Sequence, residues 1–100
     1  MSADHLTTAI AANINAEVDV ALADHIADSA TELAARAWPP PVTPNAGQCR
    51  LSAMRKGLRL TTSNIAALAA ALRIECDDLT STNTDAARAA LALLEGETTT

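Results

Sequence analysis

Apolar side chains recur at every fourth position along the first part of the chain, at Leu6, Ile10, Ile14, Val18, Leu22 and Ile26. Residues four apart share a helix face, but each such step overshoots a full turn by about 40°. Over the whole series the stripe wanders by roughly 200°. One straight helix cannot keep it on one core, so a break or bend is predicted. Ser29-Ala30-Thr31-Glu32 marks its place, because Ser followed three residues later by Glu is the capping box that satisfies free amides at a helix start. The pattern predicts helix one over residues 4–24 and helix two over 29–37.

Trp38 and the run Pro39-Pro40-Pro41, with Pro44 beyond it, end helix two, because proline cannot donate a helical hydrogen bond and holds the backbone extended. The run reads as a rigid loop. Helix three is predicted from Gly47 to Lys56, with Leu51 and Met54 inward. Gly57 stops it after Arg55-Lys56, which set cations at the negative helix end. Leu58 and Leu60 tie the connection to the core. Thr62 or Ser63 caps helix four, whose Ile65, Leu68, Ala69 and Leu72 form one apolar face. Ile74 and Leu79 bracket a turn carrying Asp77-Asp78. A last helix runs from Thr84-Asp85 through Leu91, Leu93 and Leu94 to Gly96, before a frayed Thr98–Thr100 tail. No strand pattern and no repeat appears. The expected fold class is all-α, a compact five-helix helix-turn-helix domain over residues 1–80 with an extra C-terminal helix and tail over 81–100.

Composition narrows the stability of such a body. Alanine makes up about a quarter of the 100 residues, and the chain has one Trp and no Phe or Tyr. Each buried alanine methyl adds little transfer energy, so a partner subunit would help, and a homodimer is expected. No apolar run reaches the roughly 18–20 residues of a membrane span, and no basic-then-apolar leader opens the chain. Cys49 and Cys76 lack metal or redox spacing and read as reduced thiols. Together these point to a cytoplasmic protein.

Charge changes the picture more. The net charge is −5, which argues against a nonspecific nucleic-acid coat. Yet all twelve carboxylates fall within residues 4–32 and 75–97. The window between holds six of the seven basic residues: Arg36, Arg50, Arg55, Lys56, Arg59 and Arg73. A basic middle on an otherwise repelling body suits one DNA-facing surface, although short basic runs also occur as plain solvated helix ends.

Other chemistry has little support. His5 and His25 with Cys49 and Cys76 are four nominal zinc ligands, but their spacing matches no compact site. Ser29 or Ser52 with a distant His and Asp is a combination that any chain of this length offers. No glycine-rich phosphate loop is present. Neither an enzyme, a cofactor, a metal nor a small-molecule substrate is expected.

Helix two, a turn and a short basic helix three compose a helix-turn-helix. Here Leu51-Ser52-Ala53-Met54-Arg55-Lys56-Gly57, then Asn64–Ile74 and Asp77-Asp78-Leu79, resembles the second half of the lambda-repressor/Cro-like (XRE-type) domain. Upstream, Ser29–Ala34 resembles the family's second helix and Ala11-Ala12-Asn13-Ile14 its first. The chain departs from that pattern in two places: a longer segment before Ser29, and a longer, proline-bearing turn before helix three.

The resemblance implies a prokaryotic or phage transcription regulator that binds double-stranded DNA as a dimer. It places Gly47, Gln48, Cys49, Arg50 and Ala53 toward the bases. Gln48 has the amide geometry for adenine, and Arg50 the bidentate geometry for guanine. Arg55, Lys56 and Arg59, with Arg36 and Asn45 behind them, are the expected phosphate contacts. Ala87, Ala90, Leu91 and Leu94 on the last helix are the candidate dimer surface, with packing on the chain's own core as the alternative role. The alternative function is a protein-interaction module on the same scaffold, an antirepressor, antitoxin or host-factor binder without DNA reading. The net negative charge, acidic first helix and proline insert favour it.

Overall fold

The wandering stripe of the first helix is accommodated by surrounding it. The computed structural model describes the backbone of residues 3–98 and the side-chain surroundings of residues 5–93. Its helices are α1 (Ala3–Ala23), α2 (Ala30–Ala37), α3 (Pro44–Arg55), α4 (Thr62–Leu72), α5 (Cys76–Thr80) and α6 (Asp85–Thr98), and no strand occurs among the described residues. The protein is all-α. α1 is the axis, packing against α3, α4, α5 and α6. Its Ile10, Ile14, Val18 and Ala21 are buried although they do not keep to one line, because neighbours cover it on several sides. Leu6 lies past that cover and is 45% exposed.

The helix ends follow local chemistry. α1 closes through His25 in the left-handed region, with the Ile26 N–H donating to the Ala21 carbonyl at 2.9 Å. α3 closes the same way through Gly57 (φ +83), with Gly57 N–H donating to Met54 O and Leu58 N–H to Ala53 O. α4 uses Arg73 (φ +62) in that position, with Ile74 N–H donating to Ala69 O. These paired bonds satisfy carbonyls that a helix otherwise leaves open.

At the start of α2 the capping box forms with a shift. Ser29 Oγ accepts from the Glu32 N–H at 3.1 Å, but Glu32 reaches back one residue further and accepts from the Asp28 N–H at 2.9 Å.

Four sequence expectations about helix ends and connections are corrected. Thr61, not Thr62 or Ser63, caps helix four by accepting from the Asn64 N–H at 3.1 Å. Leu58, expected to tie the α3–α4 connection to the core, is 59% exposed. Helix three starts at Pro44, not at Gly47. Thr43 caps it by accepting from the Ala46 N–H, and Pro44 occupies the first turn, where its missing N–H costs no helical bond. The Asp77-Asp78 segment is a short helix, α5, rather than a turn. Asp78 caps it by accepting from the Glu75 N–H at 3.1 Å.

One buried polar side chain joins the ends of the chain. Asn13 on α1 is 2% exposed and donates from Nδ2 to the carbonyls of Leu79 (2.9 Å) and Ser81 (2.7 Å). Its Oδ1 accepts from the Thr84 hydroxyl, and Thr84 Oγ1 in turn accepts from the Ala87 N–H at the start of α6. The last helix is thereby docked on α1. Ala87, expected on a dimer surface, is fully buried within its own chain. Ala90 and Leu91 are half-buried, and the side chain of Leu94 lies outside the described residues, as does the Thr99-Thr100 tail.

Candidate nucleic-acid interface

α3 has one buried and one open side. Gly47, Leu51 and Met54, at i, i+4 and i+7, are buried. Asn45, Cys49, Ser52 and Lys56 repeat that spacing on the opposite side, and all are exposed. Gln48 is exposed beside them, and Ala53 is half-buried on the other edge. The helix contains no carboxylate.

Gly47 lies where α3 packs on α2. A Cβ built there would lie 3.4 Å from the Ala34 carbonyl oxygen and 3.7 Å from the Ala34 Cβ. A methyl there would sit at ordinary contact distance, so Gly47 marks where α3 packs on α2, directly after the proline-bearing connection. Gly47 consequently faces α2 and does not belong to the outward group in which the motif placed it.

The basic residues divide by what already holds them. Arg36 donates to the Ile26 carbonyl (2.6 Å) and pairs with Glu32 (2.8 Å) across one turn of α2. It closes the α1–α2 connection. Arg55 Nε donates to Asn15 Oδ1 at 2.6 Å, and Asn15 Nδ2 donates back to the Arg55 carbonyl at 3.1 Å. Arg55 also lies 3.7 Å from Asp19. Both arginines thus have partners inside the chain, which the expectation of free phosphate contacts did not include. Arg50 is half-buried and flanks the inner side of α3, next to Leu51 in sequence. Lys56, at the helix end, and Arg59 are exposed. Among the described residues Arg50, Lys56 and Arg59 form no ion pair. The backbone at Arg59 is left-handed (φ +54), and its carbonyl accepts from Asn64 Nδ2 at 2.9 Å, which fixes the α3–α4 connection.

The Glu32 carboxyl is held below the usual carboxylate range, first by the Asp28 N–H and then by Arg36. Cys49 and Cys76 are both unpaired and exposed. Among the described residues no three His, Cys, Asp or Glu side chains converge as metal ligands, and no helix is long and apolar enough to cross a membrane.

Two residues at this site were not anticipated. Ser52 belongs to the exposed side of α3, and the i+4, i+7 spacing opposite Leu51 and Met54 was the available signal. Asn15 had none, because its partner lies 40 positions away in sequence. No family model matches the chain, and no match emerges among curated proteins or solved structures.

Proposed function

We propose that the protein is a small sequence-specific DNA-binding transcription regulator of the lambda-repressor/Cro-like kind, acting in the cytoplasm as a homodimer and reading duplex DNA with α3. The observation that carries this reading is the open side of α3: a carboxylate-free face seated on α2 through the Gly47–Ala34 contact. Gln48, Cys49 and Ala53 face the bases, joined by Ser52. Lys56 and Arg59 bind phosphates, with Asn45 at the helix start, where backbone amides favour an anion. Arg50, on the flank of α3, reaches a base edge.

A second reading, a helix-turn-helix scaffold used to bind protein, is favoured by one observation: Arg36, expected among the phosphate contacts, is already held by Glu32 and the Ile26 carbonyl. Amide chemical-shift mapping with a random duplex at low salt separates the two. DNA binding moves the signals of residues 45–59 first. Shifts scattered over the acidic ends, or none, count against it.

A further inference from the structure

A groove of about 350 Å³ runs beside α3, lined by Ala30, Leu51, Gln48, Ser52, Arg55 and Lys56. Its four polar side chains are an amide, a hydroxyl, a guanidinium and an ammonium. All can donate hydrogen bonds, and none is a carboxylate. The guanidinium is held in place. The reciprocal pair between Arg55 and Asn15 fixes both the Arg55 main chain and its Nε. Asn15 is neutral, so it orients the cation without neutralising it. Asp19 does the opposite. It faces Arg55 Nη2 at 3.7 Å, longer than a charge-assisted hydrogen bond, and its side chain is 72% exposed. A pair that long and that open to water is weak and easily exchanged.

We infer that this groove seats a backbone phosphate of duplex DNA, that Asn15 is the positioning residue aiming Arg55 at it, and that Asp19 is a placeholder the phosphate displaces. This rests on the DNA-binding reading of α3. A phosphate oxygen accepts short, charge-assisted bonds from a guanidinium, whereas Asp19 makes only the long one. Lys56 adds a second cation beside the same space. The exchange replaces one anion by another at Arg55, so the cation is never left without a counter-charge.

The test is a fluorescence-anisotropy titration of a labelled random duplex with the wild-type chain, Asp19→Asn, Arg55→Ala, the double variant, Asn15→Ala and Asn15→Asp. Thermal melts accompany each titration. Asp19→Asn is expected to tighten binding by about threefold, and that gain disappears in the Arg55→Ala background. Asn15→Ala weakens binding. Asn15→Asp, which keeps the acceptor for Arg55 Nε but adds negative charge, weakens it further. An equal gain from Asp19→Asn with and without Arg55 would show only the loss of a repelling charge and overturn the seat. So would wild-type affinity in a folded Asn15→Asp variant. If the wild-type chain binds no duplex at all, the DNA-binding reading itself fails and this inference goes with it.

Discussion

The α-carbon of Gly47 faces the carbonyl of Ala34 so closely that an added Cβ would stand 3.4 Å from that oxygen. This contact seats α3 on α2 despite the three consecutive prolines between them. A single methyl at 47 meets the limit of ordinary contact and gains helix propensity, so Gly47→Ala is expected to stay within about 1 kcal/mol of the wild-type stability. Gly47→Val places two further carbons against α2 and costs about 1–3 kcal/mol. Urea unfolding followed by the fluorescence of the buried Trp38 measures both. Equal stability of the two variants would mean that the seat is not tight.

Gly57 carries two separable constraints. Its φ of +83 disfavours any side chain, and a Cβ there would come within 2.5 Å of Thr7 Cγ2 on α1. Gly57→Ala is therefore expected to cost about 1–2 kcal/mol from backbone conformation, with the clash added. Thr7→Ser removes the clashing methyl and keeps the hydroxyl. In the double variant thermal unfolding should recover the clash portion and leave the conformational portion. No recovery would place the whole cost in the backbone.

Asn13 holds the α5–α6 connection through Leu79, Ser81 and Thr84. Asn13→Ala takes the Asn13 donor from the buried Leu79 carbonyl and the half-buried Ser81 carbonyl and should cost on the order of 3 kcal/mol. Amide hydrogen exchange should rise first in α6, because Thr84 both bonds Asn13 and caps that helix. Exchange that rises equally in α3 and α4 would show that α6 is not docked by this residue.

Glu32 gives the α1–α2 connection a defined pH dependence. Its folded pKa is lowered, so its contribution is fully present above the ordinary carboxylate pKa and is lost as pH falls through the depressed folded value. Glu32→Gln removes that contribution. The stability difference between the wild-type chain and this variant should be constant near neutrality and shrink below about pH 4. A difference that grows on acidification would reverse the assignment.

Much of the fold was legible in the sequence because it is local. Ser29 with Glu32, Gly57 after the basic pair, and the Ile65–Leu72 spacing each act within a turn or two of helix. The start of α3 was missed although its signal, Thr43 followed by Pro44, is local too. A run of three prolines reads as loop throughout, although Pro44 is compatible with a first helical turn. The partners of Asn13, Asn15 and Arg55 lie on distant helices, and no periodicity encodes them. Charge clustering gave the basic window but not which cations were already occupied. That is why Arg36 and Arg55 looked like Lys56 in the sequence and differ from it in the fold.

The central claim is that the open side of α3 holds duplex DNA, and the salt dependence of binding by the wild-type chain and Lys56→Ala tests it most directly. At about 50 mM salt the wild-type chain should bind a random duplex, with log Kobs falling linearly against log salt concentration. Lys56→Ala should weaken binding to every sequence and make that slope shallower by about 1. Arg50→Ala should instead cost about 1–3 kcal/mol on a selected site and little on a scrambled one. Absence of wild-type binding at 50 mM salt, or a slope unchanged by Lys56→Ala, would contradict the account.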